Sequence, residues 1–190
     1  MRLIFLLEER SAKVFLDALL PRLLPSGTEF LTIPHEGKQD LRRSIPRKLR
    51  AWQRPEDRFI VVHDQDSSDC RALKAELQLL CLSVGRSDVK IRIACHELEA
   101  WYLGDLASLD QAYGSQLQSL KDSRLFRNPD AVVNPSQELL RRIPAFSKID
   151  AARKLGSSIN LGSNESCSFR LLLQTVRQLI PPAPEPQNQG

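Results

Sequence analysis

The chain opens on Leu3-Ile4-Phe5-Leu6-Leu7, a short continuous apolar run that fits a strand buried on both faces. From Ser11 to Leu24 the apolar positions Val14, Phe15, Ala18, Leu19 and Leu23 then recur at helical spacing. Pro25-Ser26-Gly27 ends that helix, and Thr28 to Ile33 reads as a second strand of β-branched and aromatic residues. The basic segment that follows is expected to be helical in pieces, because Pro46 interrupts it. Phe59-Ile60-Val61-Val62 is the clearest strand of the chain, and the residues from Asp64 onward form its loop. Ser67 or Ser68 is placed to cap a helix with Leu73, Leu77, Leu80 and Val84 on one face, which Gly85 ends. Val89 to Ala94 alternates as a fourth strand and leads into Glu97 to Leu103, whose second half reads as helical.

Strands alternating with helices predict an α/β fold built on a parallel sheet with flanking helices, since parallel neighbours need a crossover and helices make it. Functional loops of such sheets lie at the carboxyl ends of the strands. Helical patches at 106–120, 136–142, 151–155 and 169–179 predict a helical C-terminal extension packed on the sheet. One domain over 1–180 is expected, followed by a Pro-rich, polar, disordered tail over 181–190 that lacks the residues for a core.

At 190 residues the chain is long enough to bury a core without disulfides or structural metals. No apolar stretch approaches the roughly 18 residues of a membrane helix, and the opening apolar run stops at Glu8-Glu9 without a small-residue cleavage site. A soluble, cytoplasmic protein without a membrane partner is the expectation. Cys70, Cys81, Cys95 and Cys167 form no C-x-x-C pair and are read as reduced, structural thiols.

Charge changes the picture locally. The net charge is only +4, but residues 38–54 carry +6, with Asp40 as the one acid. Arg42, Arg43, Arg47 and Lys48, beside Trp52, form the footprint that engages a nucleic-acid backbone, or else a solvated helical face. Lys148, in Phe146-Ser147-Lys148-Ile149-Asp150, is a further candidate for neutralising a phosphate.

The candidate chemistry lies in the acids at the strand ends. Asp64 and Asp66 project to the same side if the extended backbone continues past Val62, and two carboxylates so close call for a proton or for a hard cation such as Mg²⁺ or Mn²⁺. Glu8 ends the first strand and so emerges on the same sheet edge. Asp69 extends the acidic loop. Glu97 and Glu99 follow the fourth strand, and Glu97 is the one expected to face the site and complete a second metal position. Trp101 and Tyr102 are expected in the core rather than stacked on bases. His63 adjoins Asp64 but is expected to face the other way, as strand neighbours do.

Glu8 closing the first strand and Asp64-Gln65-Asp66 closing the third resemble the TOPRIM domain of topoisomerases, bacterial primases and OLD-type nucleases. The longer runs Glu8-Glu9-x-Ser11, His63 to Cys70 and Ala94 to Asp105 look like a family of small stand-alone bacterial TOPRIM-like proteins of unknown function, often encoded beside an ATPase. The resemblance implies a TOPRIM-like sheet. It also implies a general acid or base at Glu8, sometimes a metal ligand, and metal-binding aspartates at Asp64 and Asp66. Cleavage of RNA or DNA follows from it, with an ATPase partner in a defence role. One departure is plain: many TOPRIM domains have Gly directly after that glutamate, and this chain has Glu9. A non-catalytic TOPRIM-fold interaction module regulated by a partner is the alternative. A receiver-like signalling module is disfavoured, because no fifth strand ending in Lys is present.

Overall fold

The computed structural model describes residues 1–180; the expected tail over 181–190 lies outside the described residues. Four strands, β1 (Arg2–Leu7), β2 (Glu29–Pro34), β3 (Arg58–Asp64) and β4 (Lys90–Ala94), form one sheet in the order β2-β1-β3-β4, with every pairing parallel. Helices α1 (Arg10–Leu23), α2 (Lys38–Ala51) and α3 (Cys70–Leu82) make the three crossovers. The extension is helical: α4 (Glu99–Leu103), α5 (Leu106–Tyr113), α6 (Pro135–Arg142), α7 (Lys148–Ser158) and α8 (Cys167–Leu179), with short 3₁₀ turns at Leu117–Leu120 and Pro129–Ala131.

Strand periodicity divides the core in two. Leu3, Phe5, Leu7, Ile60 and Val62 face α1 and the extension, whereas Ile4, Leu6, Phe59 and Val61 face α2 and α3. All of these positions are buried, which is why β1 and β3 read as continuous apolar runs. Trp101 and Tyr102 of α4 lie fully inside the first core, packed against Phe15, as expected of core aromatics. Gly156 of α7 lets that helix close on α1: a β-carbon there would lie 2.5 Å from the Phe15 carbonyl oxygen and 2.8 Å from the Ala18 β-carbon. Arg22 of α1 then donates to the Gly156 and Ile159 carbonyls at 2.9 and 2.8 Å, satisfying groups that the end of α7 leaves open.

Two local expectations give way. α2 runs unbroken through Pro46, because Leu41, Ile45 and Leu49 bury one face on the sheet and offset the backbone hydrogen bond that proline forfeits. The cap of α3 is Asp69, whose carboxylate accepts from the Ala72 N–H at 2.8 Å, and not Ser67 or Ser68. No helix of the described residues is long and apolar enough to cross a membrane.

Candidate metal centre

β1 and β3 are neighbours with Leu7 paired to Val62, so Glu8 leaves β1 opposite His63, and Asp64 follows one residue on at the same edge of the sheet. The Glu8 Oε2 accepts from the Asp64 N–H at 3.1 Å and lies 2.9 Å from His63 Nδ1. That nitrogen also meets the Asp64 carbonyl oxygen at 2.6 Å, and with two acceptors before it, Nδ1 is the ring position that carries hydrogen. Burial works to raise the Glu8 carboxyl, but the His63 contact, the Asp64 N–H and the Lys38 ammonium outweigh it and hold the group below its ordinary value. His63 is therefore a partner of Glu8 on the neighbouring strand. The register past Leu7 and Val62 sets Glu8 opposite His63, and cross-strand neighbours share a face.

Asp64 sits among charges of its own sign. Burial pushes its carboxyl well above the ordinary value, and the Glu8, Glu99 and Glu9 carboxylates push it further, against the pull of Lys148. Glu99, the first residue of α4, is fully buried, and neither of its carboxylate oxygens has a hydrogen-bond partner. Burial raises it to about 7 despite Lys148, whose Nζ stands 3.6 Å from Glu99 Oε1 and 3.7 Å from Glu9 Oε1. The Lys148 ammonium would lose its proton more readily by burial alone, but Glu99, Glu9, Glu97 and Asp64 raise it on balance. The buried Tyr102 hydroxyl, also without a partner, borders the same cluster. Unpartnered buried oxygens are costly, and here they gather at one place.

The other expected ligands stand elsewhere. The loops after β3 and β4 continue to pair, Gln65 N–H to Ala94 O at 2.9 Å and Asp66 N–H to His96 O at 2.7 Å, and both Asp66 and His96 adopt positive φ, +50° and +58°. The extended backbone that would have aligned Asp66 with Asp64 therefore stops at Asp64. Asp66 instead pairs with Lys38 at 3.1 Å on a part-exposed surface. Asp69 is spent on its cap. Glu97 accepts from the Ser136 N–H at 2.9 Å and so holds the start of α6, while Glu99 is the acid carried inside. The sequence held one signal for this: Glu99 precedes Ala100-Trp101-Tyr102-Leu103, and an acid joined to an apolar run is carried inside with it. Lys148, read from the sequence as a phosphate partner, arrives from α7 and pairs with Glu99 and Glu9, carboxylates that nothing local tied to it.

Of the basic candidates, Arg42 pairs with Glu76 at 3.2 Å, Lys48 is half-buried, and Arg43 and Arg47 are exposed. Trp52 is fixed by its Nε1 donating to the buried Asp57 at 3.0 Å and by edge packing on Phe59, so it is not free to stack on a base. The four cysteines are free thiols. Among the described residues, no group of three or more His, Cys, Asp or Glu side chains is disposed to hold a metal ion as it stands. The cluster's counter-charge is the Lys148 ammonium.

No curated protein and no solved structure matches the chain. A family model described as a domain of unknown function, DUF4276, matches residues 7–177, from the end of β1 almost to the end of α8, and the chain belongs to that family.

Proposed function

We propose that this α/β protein is a divalent-cation-dependent phosphodiesterase acting on nucleic acid, with its centre on Asp64, Glu8 and Glu99 rather than on Asp64 and Asp66. The observation that carries the reading is the buried Glu99 carboxylate, without a hydrogen-bond partner and close enough to Asp64 to raise its carboxyl, at the carboxyl edge of the sheet. An all-oxygen donor set with excess negative charge suits Mg²⁺ or Mn²⁺. Asp64 and Glu99 are the residues that would hold the ion, with Glu8 at the margin and Asp66 and Asp69 on the loop outside it.

When bound, such an ion polarises a phosphate oxygen and lowers the pKa of a water. The rest is the work of the chain. Glu8, kept ionised by His63 and the Asp64 N–H, presents a carboxylate that takes a proton from the attacking water as its oxygen bonds to phosphorus, and the ester P–O bond breaks to release an alkoxide that is protonated from solvent. Lys148, paired with Glu99 at 3.6 Å, would meet a phosphate oxygen as charge builds there if Glu99 were engaged by the ion. The left-handed backbone at Asp66 and His96 is held by the Asp66 N–H donating to the His96 carbonyl, which ties the loops after β3 and β4 together. The resemblance to stand-alone TOPRIM-like proteins supports the same chemistry and adds an ATPase partner.

The Lys148 ion pairs favour a second reading, a non-catalytic interaction module in which the ammonium permanently replaces the cation. Purified protein incubated with mixed tRNA and plasmid DNA, in Mg²⁺, Mn²⁺ or EDTA, separates the two. The proposal expects metal-dependent cleavage by wild type and none by Asp64→Asn. Intact RNA and DNA under every condition would favour the module.

A further inference from the structure

Beyond the carboxylate cluster, the strongest unexplained feature is the outer face of α2. Arg43, Arg47 and Arg50 are exposed, follow the i, i+4, i+7 spacing of one helical stripe, and line one shallow cleft with Pro46 and Ala51. None of the three forms an ion pair among the described residues, whereas Arg42 on the same helix meets Glu76. Nor does the helix offer relief: Arg43 and Arg47 are a like-charge i, i+4 pair, and such pairs disfavour the helix by about 0.2–0.5 kcal/mol. The stripe is also separate from the residues that hold the fold. Arg42 braces α3 through Glu76, and Leu41, Ile45 and Leu49 point into the core.

We infer that the Arg43-Arg47-Arg50 stripe is the docking track for the sugar-phosphate backbone of the nucleic-acid substrate, an inference that rests on the phosphodiesterase reading. From Arg43 to Arg50 the helix rises about 10 Å, over which a duplex presents about three nucleotides of each strand, at about 3.4 Å of axial rise each. Three guanidiniums thus face about three phosphates, and guanidinium forks suit phosphate oxygens. The helix also points the right way. Its first residue, Lys38, pairs with Asp66, and the Gly37 N–H donates to the Glu8 carbonyl at 3.0 Å, so a backbone laid along α2 leads to the acidic loop. Trp52, the aromatic beside the stripe, is committed to Asp57, which leaves charge rather than base stacking as the source of affinity. The track should therefore be indifferent to sequence.

The test is fluorescence anisotropy of a labelled 20-base-pair duplex, as DNA and as RNA, at several salt concentrations, with Ca²⁺ to limit cleavage. Wild type is compared with the triple Arg→Ser variant at 43, 47 and 50 and with the triple Arg→Lys variant. The Ser variant should bind both duplexes more weakly and lower the slope of log K against log salt by about 2.7, at about 0.9 per phosphate contact. The Lys variant should keep the slope, which distinguishes lost charge from a damaged helix. An unchanged slope and affinity in the Ser variant would overturn the inference. Competition by polyglutamate as effective as that by duplex would also overturn it and assign the stripe to an acidic protein. Cleavage assays on the same variants keep the two claims apart. Metal-dependent cleavage with an unchanged salt slope sinks only the track, whereas no cleavage by wild type sinks the reading beneath it.

Discussion

Replacing Glu99 by Gln removes a charge that the fold holds at a cost, and the size of that cost can be worked out. Glu99 is fully buried, and its carboxyl is moved from 4.5 to about 7. At about 1.36 kcal/mol per tenfold change in proton affinity, the displacement corresponds to about 3 kcal/mol. The sign follows from linkage: with the folded-state value raised, the group's stabilising contribution is complete below the unfolded value near 4.5 and is lost as pH rises through about 7. Glutamine is neutral throughout. The Glu99→Gln variant should therefore match wild type near pH 4.5 and exceed it at pH 8.5 by up to about 3 kcal/mol, or about 6–12 °C in Tm for a chain of this length. Lys148 keeps Glu9 as a partner, so the substitution does not strand the ammonium. Thermal melts followed by circular dichroism between pH 4.5 and 8.5, without divalent ions, read the difference directly. A difference that stays flat with pH, or a variant less stable than wild type at pH 8.5, would refute the reasoning.

Two further substitutions check neighbouring parts of the account. Glu97→Gln keeps an oxygen to accept the Ser136 N–H, so it should leave Mn²⁺ affinity by calorimetry unchanged; a loss as large as that of Glu99→Gln would restore Glu97 to the centre. Gly156→Ala would drive a β-carbon against the Phe15 carbonyl and Ala18, and should cost about 1–3 kcal/mol in urea unfolding, the range for overpacked cores; unchanged stability would mean that α1 and α7 are not in close contact.

The sheet was legible because its residues are constrained twice over. β1 and β3 are buried on both faces, so their apolar runs are unbroken, and the punctuation at Pro25-Ser26-Gly27 and at Gly85 separates helix from strand. The shared edge of Glu8 and Asp64 was legible for the same reason, since adjacent parallel strands end together. Asp66 was not, because a non-glycine residue at positive φ leaves no mark in the sequence and breaks the two-residue period on which its alignment depended. The choice between Glu97 and Glu99 turned on where α4 begins, and a shift of two residues there decides which acid is carried inward. Lys148 reaches the cluster only through the packing of α7 on α1, a contact across more than a hundred residues whose local traces are the small side chain of Gly156 and the capping Arg22. Pro46 misled in the opposite direction: local chemistry disfavours a helix there, and burial of Leu41, Ile45 and Leu49 overrides it.

The central claim is that the carboxylates at the carboxyl edge of the sheet exist to hold a divalent cation, and a crystal soaked in Mn²⁺ tests it most directly through its anomalous difference map. The account predicts a strong peak in ligand contact with Asp64 and Glu99, at about 2 Å as for small hard cations, with the Lys148 ammonium drawn away from Glu99. The absence of a peak there at saturating Mn²⁺, with Lys148 still between Glu9 and Glu99, would contradict it.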